Sequence, residues 1–285
     1  MNRWTTLVSC EELAASLGDP NLVVLDARVV LSDRSAGAAQ FLDGHVPGAR
    51  HADLEHDLSD MAQVGQGRHP WPTQDAFLAR ARAWGIGPSS QVVAYDAGDG
   101  ALAAARAWFL LEALGHAAVA VLDGGWRRWT ALGLPVERGA AHGVAHGTLD
   151  ARFDATRLLD AQGVQQHLAA GGMLVDARAA ERFRGDVEPL DTRAGHVPGA
   201  VNRPYAMNLA DDGRFKPAQV LADEFDALRG THAPADIAVM CGSGVTACHH
   251  LLAMEHAGLH GAKLFTGSWS GWIADPGRPI ATGDR

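Results

Sequence analysis

Cysteine is scarce in this chain of 285 residues: there are three, Cys10, Cys241 and Cys248. A small, odd number cannot make a disulfide scaffold and fits a reducing compartment, the cytoplasm. Long apolar runs are missing too. No stretch approaches the roughly 20 unbroken apolar residues that span a bilayer, and the opening Met1-Asn2-Arg3-Trp4-Thr5-Thr6 lacks the apolar core of a secretory signal. Positive charge is in deficit. With 24 basic and 33 acidic side chains the net charge is −9, and the basic residues are scattered. Nucleic acid or an anionic membrane as main partner would call for a basic patch, so neither is expected. The remainder, 47% hydrophobic and 20% charged, supplies ample core and excludes disorder, collagen-like repeats and coiled coil.

What the chain does contain is a repeat. Gly44-His45-Val46-Pro47-Gly48-Ala49 recurs as Gly195-His196-Val197-Pro198-Gly199-Ala200, and Leu25-Asp26-Ala27-Arg28 as Val175-Asp176-Ala177-Arg178. Leu122-Asp123-Gly124-Gly125-Trp126 likewise matches Phe265-Thr266-Gly267-Ser268-Trp269. Three matches in one order at offsets of 151, 150 and 143 mean one domain-sized unit written twice. Between the copies, Gly139 to Gly147 is small, weakly patterned and linker-like. The expected division is therefore residues 1–138, a linker at 139–150, and residues 151–285.

Within each copy, short apolar runs alternate with amphipathic stretches. Leu22-Val23-Val24-Leu25, Val92 to Tyr95 and Ala118 to Leu122 have the length of buried strands, as do Met173-Leu174-Val175, Ile237 to Met240 and Ala262 to Phe265. Ala101 to Leu114 and Val245 to Ala257 are helical in length and composition, each ending near a glycine. Ser9-Cys10-Glu11-Glu12 has the capping-box spacing that opens a first helix. Strand–helix alternation with near-continuous apolar strands predicts two α/β domains, each a mainly parallel sheet covered by helices. The pairs Trp126/Trp129 and Trp269/Trp272 recur at helical spacing and are expected to pack in the core or between the domains, with Trp269 a candidate to reach the cleft.

One loop carries chemistry. Cys241-Gly242-Ser243-Gly244-Val245-Thr246-Ala247 follows a predicted strand and opens a predicted helix, which puts Cys241 at the carboxyl end of a strand, where open α/β sheets bind ligands. The glycines allow the backbone N–H groups of residues 242–247 to converge on one point. The helix start adds its own N–H groups and positive end there. That setting favours a thiolate and stabilises an anion attached to it. Cys10 and Cys248 lack such a cradle and are expected to be small core residues. A cysteine phosphatase would need an arginine six positions after its nucleophile to clamp phosphate, and Ala247 stands there instead. In the first copy Asp96 occupies the place of Cys241, so that copy should be inert in sulfur chemistry.

These motifs together, across nearly the whole chain, resemble those of tandem rhodanese-domain sulfurtransferases. The resemblance implies a silent first domain and a second in which the Cys241 thiolate takes sulfur from a donor as a persulfide and passes it to a thiophilic acceptor such as cyanide or a thiol. A thioredoxin-like protein is among the acceptors it admits. No metal or organic cofactor is implied. Gly242 and Ser243 match the members that use 3-mercaptopyruvate, whereas thiosulfate-using members carry basic residues there. The resemblance assigns the donor carboxylate to Arg182, within Glu181 to Gly185. That group's second carboxylate-binding arginine belongs to a Glu-Pro-Arg segment. This chain reads Glu188-Pro189-Leu190, leaving Arg193 as the nearest substitute and thiosulfate as an alternative donor. The serine–histidine–aspartate relay of the mercaptopyruvate enzymes would map onto Ser243, His45 and Asp33. His45 has a second reading, because its turn recurs around His196. Arg28 and Arg178 also repeat, which points to pairing within each domain. A non-catalytic sulfur-carrier or binding module is the remaining alternative, and the glycine cradle argues against it. Cys248-His249-His250, with His256 and His260, matches none of the usual zinc spacings.

Overall fold

The computed structural model describes residues 4–284. By packing, the chain falls into two units. The first comprises residues up to Ser59, Pro72–Asp154 and Asp211–Phe215. The second comprises Asp60–Trp71, Ala155–Ala210 and Lys216 onward. The short segment 60–71 thus belongs with the second unit although it lies in the first half of the sequence.

In the first unit, β1 (Leu7–Val8) leads into α1 (Cys10–Ser16), whose capping box forms as expected: the Glu12 amide donates to Ser9 Oγ and the Ser9 amide to Glu12 Oε2. There follow β2 (Leu22–Asp26), α2 (Ala36–Asp43), β3 (Arg50–His51), α3 (Gln74–Ala83), β4 (Gln91–Tyr95), α4 (Ala104–Ala113), β5 (Val119–Leu122) and α5 (Gly125–Ala131). The five strands are all parallel in the order β1-β5-β4-β2-β3. Every residue of β4 and β5 is buried, which is why they are apolar runs rather than alternating patterns. Helix α4 is buried on nearly every face, with Trp108, Phe109, Leu110 and Leu111 at 1% exposure or less. Residues 139–150 carry neither helix nor strand, and the amides of Gly147 and Leu149 donate to the carbonyls of Arg82 and Ile86.

The second unit repeats the plan. It runs β6 (Leu158–Leu159), α6 (Ala161–Ala169), β7 (Met173–Asp176), α7 (Ala180–Arg184), β8 (Val201–Asn202), α8 (Ala218–Arg229), β9 (Ile237–Met240), α9 (Ala247–His256), β10 (Lys263–Phe265) and α10 (Ser268–Trp272). Its sheet is again all parallel, in the order β6-β10-β9-β7-β8. Parallel strands bring all their carboxyl ends to one edge, so the loop after β9 opens there. Trp269 and Trp272 lie in this unit's core and Trp129 in that of the first, as the repeat suggested.

The repeated charged residues serve each unit alike. Arg28 holds Asp26 through its guanidinium and donates to the Gly44 carbonyl at 2.6 Å; Arg178 holds Asp176 and donates to the Gly195 carbonyl at 2.8 Å. Their guanidinium carbons lie 4.5 and 4.8 Å from the ring centroids of Trp126 and Trp269. These buried pairs pin each strand end to its turn.

Beneath α9 lies a polar cluster. Asn208 Nδ2 is 2.9 Å from His249 Nδ1 and 2.8 Å from His250 Nδ1, and the Arg203 guanidinium donates to Asn208 Oδ1 and to Glu224. His250 Nε2 lies 2.6 Å from the Arg203 carbonyl. Burial, with Arg203 nearby, pushes His250 down to about 3, so the ring is neutral and donates from Nε2. Among the described residues no His, Cys, Asp and Glu side chains are grouped as a metal site requires, and no helix is long and apolar enough to cross a membrane.

Candidate functional site

Strand β9 ends at Met240 and helix α9 starts at Ala247, leaving Cys241 to Thr246 as a connecting loop. Three hydrogen bonds tie it to the start of α10. The Cys241 amide donates to Ser268 Oγ (3.1 Å), the Trp269 amide donates to the Cys241 carbonyl (3.0 Å), and the Ser270 amide donates to the Gly242 carbonyl (2.9 Å). Ser268 has φ of 50°, the only non-glycine residue with positive φ among the described residues. Such a backbone costs a serine on the order of 1–3 kcal/mol and persists only where its surroundings fix it. Here they do: its buried hydroxyl also donates to the Phe265 carbonyl at 3.0 Å. The counterpart in the first unit is Gly125, where an added Cβ would stand 2.7 Å from the Asp96 carbonyl oxygen.

The loop's amides distinguish the two units. In the first, the Asp96 carboxylate accepts from Gly98 N (3.1 Å), Gly100 N (3.0 Å) and Leu102 N (3.3 Å), filling the cradle with a side chain of the protein itself. Burial raises the Asp96 pKa and these amide bonds offset part of the rise. In the second unit Cys241 replaces the aspartate. The amides of Gly242, Ser243 and Val245 there donate to no described group. Nor does a side chain cap α9. Cys241 is buried at 3% exposure and forms no disulfide. The result is a thiol beside unsatisfied N–H groups and a helix start, an arrangement that stabilises negative charge on sulfur. Cys10 also stands at a helix start, but Ser9 caps that helix, and burial pushes the Cys10 thiol up to about 11. Cys248, in the first turn of α9, donates to the Gly244 carbonyl at 3.4 Å.

Polar side chains of the second unit surround the loop. Ser243 Oγ is 2.9 Å from His69 Nδ1. Arg182 Nη2 donates to Glu188 Oε1 (2.7 Å) and Asp191 Oδ2 (3.3 Å), and Arg68 Nη1 pairs with the other oxygen of Asp191. Burial would raise the Glu188 carboxyl, but Arg182 and the Leu190 and Asp191 amides outweigh it and hold the group below its ordinary value. Both guanidinium groups face the loop: a methyl on Gly242 would stand 2.8 Å from Arg68 Nη2 and 3.6 and 3.7 Å from Arg182 Nη2 and Nη1.

Of the expected site residues, Arg182 and the 242–247 loop lie together. Arg193 does not join them; its Nη1 donates to the Pro276 carbonyl at 3.4 Å. The relay needs correction at its histidine. His45 is fully buried, stacks on Phe41 at 3.9 Å and meets the Phe41 carbonyl through Nδ1 at 2.7 Å. His196 does the same with Phe183, at 3.8 Å and 2.8 Å, so both shape a turn. The contact expected of His45 is made by His69. Asp33 is an exposed turn residue that accepts from the Ser35 amide and hydroxyl. His69, Arg68, Asp191 and Ser268 were not singled out from the sequence. The first two sit in segment 60–71, with no recognisable motif of their own.

The doubled parallel fold and the cysteine loop define the class. The model of the rhodanese-like domain matches residues 9–132 and again 160–275, and the chain belongs to the rhodanese family, as a sulfurtransferase. A protein of Pseudomonas aeruginosa named "Probable 3-mercaptopyruvate sulfurtransferase" is 47% identical over 281 residues, 98% of each chain. A Mycobacterium tuberculosis relative, 42% identical over 99% of this chain and 98% of its own, is named for thiosulfate sulfurtransferase activity. The crystal structure of SseA from Escherichia coli, described as a 3-mercaptopyruvate sulfotransferase, superposes with a TM-score of 0.79 at 33% identity, covering 94% of this chain and all of that one.

Proposed function

We propose that the protein transfers sulfur from 3-mercaptopyruvate through a persulfide on Cys241. The observation that carries this reading is the pair of equivalent loops, one filled by the Asp96 carboxylate and the other left with unsatisfied amides beside a thiol. In the first half-reaction the Cys241 thiolate attacks the donor sulfur. A sulfur–sulfur bond forms, the carbon–sulfur bond breaks, and its electron pair leaves on pyruvate as the enolate. The proton lost from the donor thiol returns to the enolate carbon. Ser243 and His69, hydrogen-bonded at 2.9 Å, are the pair suited to carry it. Arg182 takes the donor carboxylate. The loop amides stabilise the persulfide anion, as preorganised donors do where charge develops.

In the second half-reaction a thiophilic acceptor, cyanide or a thiol, attacks the outer sulfur and the Cys241 thiolate leaves. A thioredoxin-like protein thiol suits this step, in the cytoplasm where unpaired cysteines persist. Two half-reactions through one covalent intermediate give ping-pong kinetics. Thiosulfate is the second reading, favoured by the name of the Mycobacterium tuberculosis relative and by two guanidinium groups able to meet a dianion. Steady-state kcat/KM for 3-mercaptopyruvate and for thiosulfate, with cyanide as acceptor, separates them. The expected result is a higher value for 3-mercaptopyruvate and no turnover by Cys241→Ser with either donor. Preference for thiosulfate overturns the donor assignment. A Cys241→Ser enzyme that still transfers sulfur, or a wild type inert with both donors, overturns the mechanism and favours a carrier module.

A further inference from the structure

We infer that Ser270 is a positioning residue for proton transfer: it seats segment 60–71 on α10 and so sets His69 against Ser243. The inference rests on the reading of Ser243 and His69 given above. His69 belongs to a segment with neither helix nor strand. It is closed on itself by the Asp60 amide, which donates to the Pro70 carbonyl (3.0 Å), and by Gln63 Nε2, which donates to the Trp71 carbonyl (2.9 Å). Such a loop needs an outside anchor before a side chain on it can hold a 2.9 Å hydrogen bond to a residue 174 positions away. Ser270 supplies one. Its hydroxyl accepts from the Arg68 amide at 3.0 Å while its own amide donates to the Gly242 carbonyl at 2.9 Å. One residue thus joins the cysteine loop to the segment that bears His69.

The surface around Ser270 is shaped to receive this backbone. Methyl groups added to Gly267 and Gly271 would stand 3.5 and 3.4 Å from the Gln66 carbonyl oxygen. One on Gly67, whose φ is +97°, would lie only 2.7 Å from the Gly267 carbonyl oxygen and 3.0 Å from Ser270 Oγ. The duplication supplies a comparison. With Trp269 equivalent to Trp126, Gly267, Ser270 and Gly271 answer to Gly124, Arg127 and Arg128 of the first copy. Segment 211–215, whose Gly213-Arg214 precedes α8 as Gly67-Arg68 precedes α3, belongs to the first unit, and a methyl on Gly213 would meet Arg127 Nη2 there at 2.5 Å. Phe215 holds the place of His69, and its amide donates to Asp123 Oδ1 at 3.0 Å. The serine anchor and the histidine therefore occur together in the unit with the thiol, and neither occurs in the unit with Asp96.

Ser270→Ala deletes the hydroxyl and keeps the amide bond to Gly242, so it frees the segment without freeing the cysteine loop. The measurement is the single-turnover rate of pyruvate release from 3-mercaptopyruvate in wild type, Ser270→Ala, His69→Asn and the double variant. Ser270→Ala should slow release about ten- to a hundredfold, a part of what a well-placed acid or base contributes. In the His69→Asn background the same substitution should change it by less than about threefold, since the partner it positions is gone. Alkylation of Cys241 by iodoacetamide should stay within about threefold of wild type, whereas a general loosening of α10 and the loop would move it. Gly67→Ala, which lifts the segment from α10 and leaves Ser270 intact, should repeat the pattern, and it carries the test if Ser270→Ala does not fold. Equal losses with and without His69, no loss in Ser270→Ala, or alkylation that falls together with turnover overturn the assignment. A His69→Asn enzyme as fast as wild type overturns the acid–base reading instead, and this inference with it.

Discussion

Ser268 shows how a single residue can hold a reactive thiol's backbone in place at an energetic cost. Its left-handed backbone is unfavourable for any residue with a Cβ, yet its hydroxyl satisfies the buried Cys241 amide at 3.1 Å. Removing the hydroxyl while keeping the Cβ should therefore be the worse of two changes. Ser268→Ala should lose roughly 1–3 kcal/mol of stability, the cost of an unsatisfied buried donor. Ser268→Gly, which leaves the same amide unpaired, should recover roughly 1 kcal/mol of that through relief of the backbone. Urea midpoints of the two variants check the order, and an alanine variant at least as stable as the glycine one would contradict it. Cys10 is the contrasting residue. It too is buried beside a helix start, but burial holds its thiol up near 11, where thiolate is negligible at neutral pH.

At the scale of elements, the loop depends on α9, and α9 depends on its polar underside. His250 titrates near 3 in the folded protein against an ordinary 6.5. Below pH 6.5 the unfolded chain binds a proton there that the folded one refuses. The stability tied to a neutral His250 is thus fully present above 6.5 and declines as pH falls toward 3, by up to about 1.4 kcal/mol per pH unit. His250→Gln should flatten this slope between pH 6 and 4, measured by urea unfolding, and an unchanged slope would refute the account.

Which elements were legible follows from the same physics. The runs at 92–95 and 237–240 announced buried parallel strands, and Cys241 with its glycines announced a strand-to-helix turn, because all of that information is local. Helix α9 starts two residues later than its composition suggested, since Val245 and Thr246 stay in the loop. The contacts of His69 with Ser243 and of Arg68 with Asp191 join residues 174 and 123 positions apart, so no local pattern contains them. His45 misled because a histidine in a recurring turn looks available for chemistry, whereas its ring is stacked and buried in the turn itself.

For the whole molecule, one fold is written twice and the two copies diverge where chemistry would occur. The first copy keeps the strand, the turn and the convergent amides, then satisfies them with Asp96. The second leaves the amides unfilled and puts a thiol among them. The central claim, a single sulfur-carrying residue in a duplicated chain, is tested most directly by mass spectrometry of the intact protein and its peptides after treatment with 3-mercaptopyruvate. The account predicts a gain of one sulfur atom on the peptide bearing Cys241, lost again on addition of cyanide. Sulfur carried instead by Cys10 or Cys248, or the same gain in Cys241→Ser, would contradict it.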